Sequence, residues 1–465
     1  VLSHLTDKIE DGTVIVTPLR KDQLEEWLSG QAAGLRQWVE STQFVAAAGQ
    51  ISLIAGGRGR LRRVLFGIGD GGDPWVFAHL PAKLPAAVYR LDGPLEAEQA
   101  TWAAIAWSLA TYRFDRYKAD KDDEWPVLVW PEGCDRPAVE RVTAATALVR
   151  DLINVPAGDM GPGELAGVAE TMAGHHGAEC RVLVGEELLL ENWPAIHAVG
   201  RASSRPPRLI DLTWGDPAAP KVSIVGKGVC FDSGGLDIKP ASAMKLMKKD
   251  MGGAAHALGL AKMIMMANLP VRLRVLIPAV ENAVSGSAFR PLDVLRTRKG
   301  LTVEVGNTDA EGRLILCDAL FEADREKPAL LIDLATLTGA ARSAVGTEIA
   351  ALFCNDDELA ADLYRHSVAQ HDPVWRLPLW SGYRRILDSK VADINNCGDS
   401  PYAGAITAAL FLKEFVSPET LWAHFDFMAW NTSSQPGRPE GGEAQALRAL
   451  FATIAERFGG EGSDG

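Results

Sequence analysis

From residue 154 onward the chain alternates short apolar runs with helical stretches, and this alternation restricts the possible folds more than any other feature. The runs are Glu179–Leu183, Arg208–Leu212, Lys221–Lys227, Arg272–Ala279, Thr302–Val305, Ala329–Asp333 and Glu348–Phe353, with Trp422–Phe427 as a further one. The helical stretches are Pro162–Met172, Gly252–Met266, Gly312–Glu322 and Gly404–Phe415. Near-continuous apolar strands joined by crossover helices predict an α/β fold built on a large, mostly parallel central sheet flanked by helices. Chemistry in such sheets gathers beyond the carboxyl ends of the strands, so the residues just after each run deserve the closest reading.

The first third reads as a smaller α/β unit. Thr13–Thr17, Ile51–Ala55, Val64–Ile68 and Pro126–Trp130 suit strands, while Gln23–Leu28 and Glu96–Tyr112 suit helices. Its glycine-rich stretches, Gly56–Arg60 and Gly69–Gly72, lack a phosphate-binding pattern and are expected to be turns. A helix over Ala138–Ile153 then presents Val139, Val142, Ala145, Leu148 and Val149 on one face and stops at Asn154-Val155-Pro156-Ala157-Gly158. The expected organisation is an N-terminal α/β domain over 1–137, a connecting helix over 138–153 and a larger domain over 154–465 holding the chemistry.

Composition removes several classes. Lys and Arg total 47 against 60 Asp and Glu, a formal charge of −13, with no basic tail, so nucleic acid is not an expected partner. No apolar run reaches the roughly 18 residues of a membrane helix, so no membrane is expected. Residues 1–15 lack the apolar segment of a secretory leader. The cysteines, Cys134, Cys180, Cys230, Cys317, Cys354 and Cys397, are far apart without a CxxC pair. Free thiols and a cytoplasmic location follow as expectations.

Four carboxylates stand at strand-to-helix turns. Asp232 follows the run 222–225 in Gly226-Lys227-Gly228-Val229-Cys230-Phe231-Asp232-Ser233-Gly234-Gly235, and Lys239 comes soon after. Asp250 opens an apolar helix in Met247-Lys248-Lys249-Asp250-Met251-Gly252-Gly253. Asp309 and Glu311 lie in Asn307-Thr308-Asp309-Ala310-Glu311-Gly312-Arg313-Leu314. Taken singly, Asp250 and Asp309 suit helix caps, and Glu311 with Arg313 suits a surface pair. Together, with lysines interleaved, they point to divalent cations: Mg²⁺ or Mn²⁺ by ligand hardness, with Zn²⁺ also accommodated. No HExxH and no GxSxG occurs. His256, on an apolar helix, is expected to be a satisfied core residue, His424 a packing residue, and Ser233 a loop hydroxyl.

These segments, Gly226–Gly235, Met247–Ala254 and Asn307–Leu314, resemble the cytosolic leucyl aminopeptidases, a family of two-metal peptidases, and the octapeptide 307–314 matches that family's signature. The likeness extends through Glu281-Asn282, Arg290-Pro291, Asp333–Ala340 and Trp422–Asp426, thus over most of 154–465. The resemblance implies a tighter metal site of Lys227, Asp232, Asp250 and Glu311. It implies a more exchangeable site of Asp232, Asp309 with its main-chain carbonyl, and Glu311. Lys227 would have to ligate as the neutral amine. Lys239 is implied to stabilise the oxyanion, Arg313 to hold a bicarbonate ion acting as general base, and Met247, Thr336, Gly339 and Met428 to line the pocket for the N-terminal side chain.

The expected function is therefore metal-dependent hydrolysis of the N-terminal peptide bond of peptides with a free α-amine, by a homohexamer. Alternatives are a dipeptidase or Cys-Gly hydrolase on the same site, or a non-catalytic binding protein. Two departures stand out. Phe427-Met428-Ala429 replaces the family's usual Ile-Ala-Gly, which predicts a pocket for smaller or differently shaped side chains. Gly306 replaces a usual Leu, which predicts a looser turn.

Overall fold

The computed structural model describes residues 2–93, 95–118 and 124–460. The chain forms two compact units, one of residues up to Ala147 together with Ser433–Glu440, the other of Leu148–Thr432 together with the residues from Gly441. The division falls inside the helix Arg136–Asn154, which spans the connecting stretch 138–153. Ser433–Glu440 joins the first unit through contacts such as the Arg438 guanidinium over the Trp75 ring, 5.7 Å from its centroid. No local pattern reports an association between residues so far apart in sequence.

The first unit holds a six-stranded sheet in the order Leu5–Thr6, Val127–Val129, Val88–Leu91, Val14–Arg20, Leu61–Gly69, Ile51–Ala55. Only the last pair is antiparallel. Val88–Leu91 and the helix Ala33–Ser41 were not anticipated. Gly57–Gly59 is a single helical turn and Gly69 leads into another turn, as expected of patternless glycine-rich stretches.

The second unit is built on nine strands. Eight lie in the order Val374–Arg376, Ala350–Cys354, Trp422–Asp426, Leu330–Ala335, Lys221–Gly226, Arg272–Asn282, Arg208–Trp214 and Glu179–Val184. Gly228–Asp232 pairs parallel with the end of Arg272–Asn282. The middle of the sheet is parallel, and antiparallel pairs occur toward both edges. The central strands are buried on both faces, which is why Leu330–Ala335 reads as an unbroken apolar run and not as an alternation. Gly252–Met266 is apolar nearly all round because it packs on strands Lys221–Gly226 and Leu330–Ala335 and on helix Leu447–Phe458. Helix Glu311–Arg325 helps form the principal core, in which Leu314, Ile315, Leu320, Val225, Leu276, Leu331, Phe411 and Trp422 are buried together.

Two sequence expectations need correction. Thr302–Val305 forms a strand, Thr302–Glu304, but in a separate three-stranded sheet with Val294–Arg296 and Ile394–Asn395. A three-residue run carries too little pattern to say which sheet it joins. Gly228–Asp232, read as loop, is a strand with a bulge between Val229 and Phe231. The helices Asp357–Ala369 and Leu447–Phe458 were also unread; the first is capped by Asp356, whose side chain accepts from Leu359 N–H at 2.7 Å.

His256 is a satisfied core residue. Its Nδ1 lies 2.6 Å from the Gly252 carbonyl, its Nε2 accepts from Gln445 N–H at 2.9 Å, and its ring packs on Phe427 at 4.1 Å between centroids. That arrangement uses the neutral ring. Burial pulls its pKa down to about 4, against a partial opposing effect of the Gly252 hydrogen bond. Below about pH 6.5 the unfolded chain therefore binds a proton that the native state refuses. The contribution is fully present above pH 6.5 and is lost as pH falls toward 4, about 3 kcal/mol in all. His256→Leu should be less stable throughout, yet lose stability less steeply between pH 6.5 and 4. Denaturant midpoints across a pH series read that slope, and an unchanged slope contradicts the assignment.

Candidate metal centre

The functional residues sit where the parallel strands end. Lys227 directly follows Lys221–Gly226, and Asp232 closes Gly228–Asp232. Asp250 lies in the tight turn Met247–Met251 that feeds helix Gly252–Met266. Glu311 is the first residue of Glu311–Arg325 and Arg313 the third. Thr336 follows Leu330–Ala335, and Met428 follows Trp422–Asp426. The loop after Asp232 turns back through Gly234 at φ 88° and Gly235 at φ 67°, a backbone region that side chains with a Cβ rarely adopt. It is pinned by Asp237, whose carboxylate accepts from Thr308 N–H at 2.7 Å, and by the Thr308 hydroxyl donating to the Gly234 carbonyl at 2.6 Å.

The structure brings all seven expected charged residues together. Lys227 Nζ stands 2.7 Å from Asp250 Oδ2 and 3.0 Å from Glu311 Oε1. Lys239 Nζ stands 2.8 Å from Asp232 Oδ2 and also pairs with Asp309. Asp232, Asp309 and Glu311 each offer an oxygen, all within 4.8 Å of one another. Supporting contacts orient them: Asn282 Nδ2 donates to Asp232 Oδ1 at 2.9 Å, and the Thr336 hydroxyl donates to Asp250 Oδ1 at 2.8 Å. Arg313 Nη1 donates to the Asn396 carbonyl at 2.6 Å, while Asn396 Nδ2 donates to Asn307 O at 2.9 Å. Gly312 allows the close fit, since a Cβ there would lie 2.7 Å from Lys227 Nζ.

The electrostatics are those of carboxylates crowded out of water. Burial, then the Asp232 charge, pushes Glu311 up to about 8 and Asp309 up to about 6. Burial works against the Lys227 ammonium, but Asp250, Glu311 and Asp232 outweigh it and hold the pKa above the usual lysine value. Lys239 is likewise raised: burial opposes the charge, and Asp232 and Asp309 overcome it. Glu311 Oε2 is buried without a partner among the described residues, and Oε1 has only the Lys227 ammonium at 3.0 Å. Buried carboxylate oxygens so sparsely bonded, beside two further carboxylates, are a hard-oxygen donor set, so the residues present fit divalent cations. With Lys227 charged in the metal-free chain, its ligation would release a proton.

A cavity of about 650 Å³ opens beside this cluster. Its lining contains Lys227, Asp232, Lys239, Asp250, Asp309 and Arg313, together with the four expected pocket residues Met247, Thr336, Gly339 and Met428. Met428 is buried and receives Arg342 Nη1 at 3.5 Å from its sulfur. Gly306 is not a loosened turn: its N–H donates to Asn396 Oδ1 at 2.8 Å, and a Cβ would lie 2.5 Å from the Cys397 carbonyl. Glycine there admits the neighbouring chain. Sequence reasoning overlooked Asn396, Lys249 and Arg342. Nothing local marked Asn396 or Arg342, whereas the Lys248-Lys249-Asp250 run placed a second cation beside an expected ligand and was passed over.

His424 packs as expected, its Nδ1 2.6 Å from Asp333 Oδ1 in the core. The Ser233 hydroxyl donates to the Asn282 carbonyl at 2.8 Å. All six cysteines are unpaired, and no helix among the described residues is long and apolar enough to cross a membrane.

Comparison with known proteins gives a consistent likeness. Residues 147–451 match the model of the cytosol aminopeptidase family catalytic domain, and residues 14–131 match that of the M17 aminopeptidase N-terminal domain. A probable cytosol aminopeptidase of Geotalea uraniireducens is 37% identical over 462 residues, covering 92% of each chain. One from Syntrophotalea carbinolica is 44% identical over 365 residues, 75% of this chain and 73% of the relative. The crystal structure of cytosol aminopeptidase from Coxiella burnetii superposes with a TM-score of 0.94 at 49% identity, covering 98% of this chain and 99% of the other. The bottromycin maturation enzyme BotP in complex with Mn gives a TM-score of 0.86 at 36% identity, covering 96% and 100%.

Proposed function

The chain belongs to the cytosol aminopeptidase family and is a metal-dependent, leucyl aminopeptidase-like exopeptidase, and from that premise we propose how its own residues carry the reaction. Lys227, Asp232, Asp250 and Glu311 would hold the tighter of two divalent cations, and Asp232, Asp309 and Glu311 the more exchangeable one. Zinc, manganese or magnesium bound there supplies an acidified water and Lewis-acid neutralisation of charge. Lys239 donates to the scissile carbonyl oxygen and steadies the oxyanion as charge develops, the role for which a fixed ammonium in a partly dry site is suited. Arg313 would hold a bicarbonate ion as general base; in support, its Nη1 is fixed on Asn396 while its buried Nε has no hydrogen-bond partner. The substrate's free α-amine would bind a metal held by these residues, which would restrict cleavage to the first peptide bond. Met247, Thr336, Gly339 and Met428 line the pocket for the first side chain, with Met428 reducing its volume. A cytoplasmic homohexamer belongs to the same reading, on the family likeness.

The observation that carries this reading is Glu311, fully buried, with only Lys227 at Oε1 and nothing bonded to Oε2 among the described residues, and within reach of Asp232 and Asp309. The test uses metal-stripped protein with Mn²⁺ or Zn²⁺ restored, on paired peptides with free and acetylated N-termini. Cleavage of the free peptide alone, dependent on added metal, is expected. Equal cleavage of both members of a pair removes the proposal.

A further inference from the structure

Charged groups around the cavity differ in how they are satisfied. Lys227 and Lys239 face the four carboxylates, and Arg313 donates to Asn396. Lys249 is only 6% exposed, lines the same cavity, and has no ion pair or side-chain hydrogen bond among the described residues. Arg342, in the last turn of helix Gly339–Val345 and exposed to solvent, also lines it. Its guanidinium meets the Met428 thioether, a weak acceptor, and no carboxylate lies within ion-pair distance among the described residues. The acid on the adjoining strand, Asp426, is already committed: it accepts from Leu337 N–H at 2.8 Å, Thr338 N–H at 3.1 Å and the Thr338 hydroxyl at 2.6 Å.

A neutral apolar occupant would leave both side chains without a carboxylate in ion-pair reach. An anion entering the cavity meets both and gives Arg342 a forked partner in place of sulfur. Lys249 and Arg342 line the same cavity as Met247, Thr336, Gly339 and Met428, the expected contacts of the first side chain; Arg342 Nη1 lies 3.5 Å from the Met428 sulfur, and a Cβ on Gly339 would lie 3.6 Å from Arg342 Nη2. We propose that Lys249 and Arg342 form a subsite for an acidic N-terminal residue, so that peptides beginning with Glu or Asp are preferred substrates. This inference rests on the aminopeptidase reading and goes beyond it by naming the substrate class.

The test compares Glu-, Gln- and Leu-p-nitroanilides, with the wild-type chain and with Arg342→Gln and Lys249→Gln. Glu and Gln differ in charge but hardly in shape, so their kcat/KM ratio isolates the subsite. Wild type should favour Glu by about tenfold to a hundredfold, and either substitution should bring the ratio toward one. Arg342→Glu should favour Lys-p-nitroanilide over Gln. Turnover of Leu with a Glu-to-Gln ratio near or below one in the wild type overturns the inference while leaving the aminopeptidase reading intact, and needs no variant to fold. A ratio that survives both neutral substitutions overturns it equally. Silence on every free-amine substrate removes the aminopeptidase reading and this inference with it.

Discussion

Glu311→Gln leaves a folded chain that no longer hydrolyses peptides. The substitution keeps the shape of a residue that is 1% exposed and removes only charge. A shared ligand lost from between two cations weakens both, so kcat/KM should fall about 10³-fold or more. Stability without metal should move the other way or not at all. Burial and then Asp232 push the native carboxyl up to about 8, against about 4.3 for an unfolded glutamate. Its contribution is thus present at low pH and is lost as pH rises through that window, and glutamine carries no such loss. Lys227 gives up a contact at 3.0 Å but keeps Asp250 at 2.7 Å. Melting in EDTA at pH 8 should show the variant at least as stable as wild type. Activity within tenfold of wild type, or a lower melting temperature in EDTA, goes against this.

Glu443→Ala should produce the opposite pattern, a chain damaged in folding and not in chemistry. Glu443 holds Arg150 in a buried fork: Nε and Nη2 donate to Oε1 at 3.1 Å each, and Nη2 donates to Oε2 at 3.0 Å. The two side chains are 1% and 6% exposed, and Glu443 also accepts from Asn431 Nδ2 at 2.7 Å and from Ala444 N–H at 2.8 Å. Removing the carboxylate takes three charge-assisted hydrogen bonds from a guanidinium in the interior, at a cost of about 3–5 kcal/mol. Replacing both partners by apolar residues removes the buried cation as well. Arg150→Met with Glu443→Leu should therefore cost less than Glu443→Ala alone. Urea midpoints for the three chains decide it, and additive losses in the double variant contradict it.

What the sequence showed and what it hid follow from distance along the chain. The carboxylates were legible because Asp232, Asp309 and Glu311 follow strands within a few residues, and Asp250 stands just ahead of the apolar helix Gly252–Met266. The central strands were legible because burial on both faces leaves an unbroken apolar run. Gly228–Asp232 was hidden because a parallel strand beginning in Gly and ending in Asp resembles the loop around it. Thr302–Glu304 was assigned to the wrong sheet because its partners, Val294–Arg296 and Ile394–Asn395, are set by tertiary pairing. The fork between Arg150 and Glu443, and the support of Arg313 by Asn396, join residues far apart in sequence, and neither leaves a local mark. Lys249 differs: its sequence position beside Asp250 was visible, but only burial without a counter-ion gives it meaning.

The metal content of the chain tests the central claim most directly. Protein stripped with chelator, dialysed against Mn²⁺ or Zn²⁺ and then freed of excess should carry two metal ions per chain by elemental analysis. Glu311→Gln treated alongside should carry fewer than two. A wild-type chain that retains none, or a Glu311→Gln chain that retains two as firmly as wild type, contradicts a dinuclear centre held by Asp232, Asp250, Asp309 and Glu311.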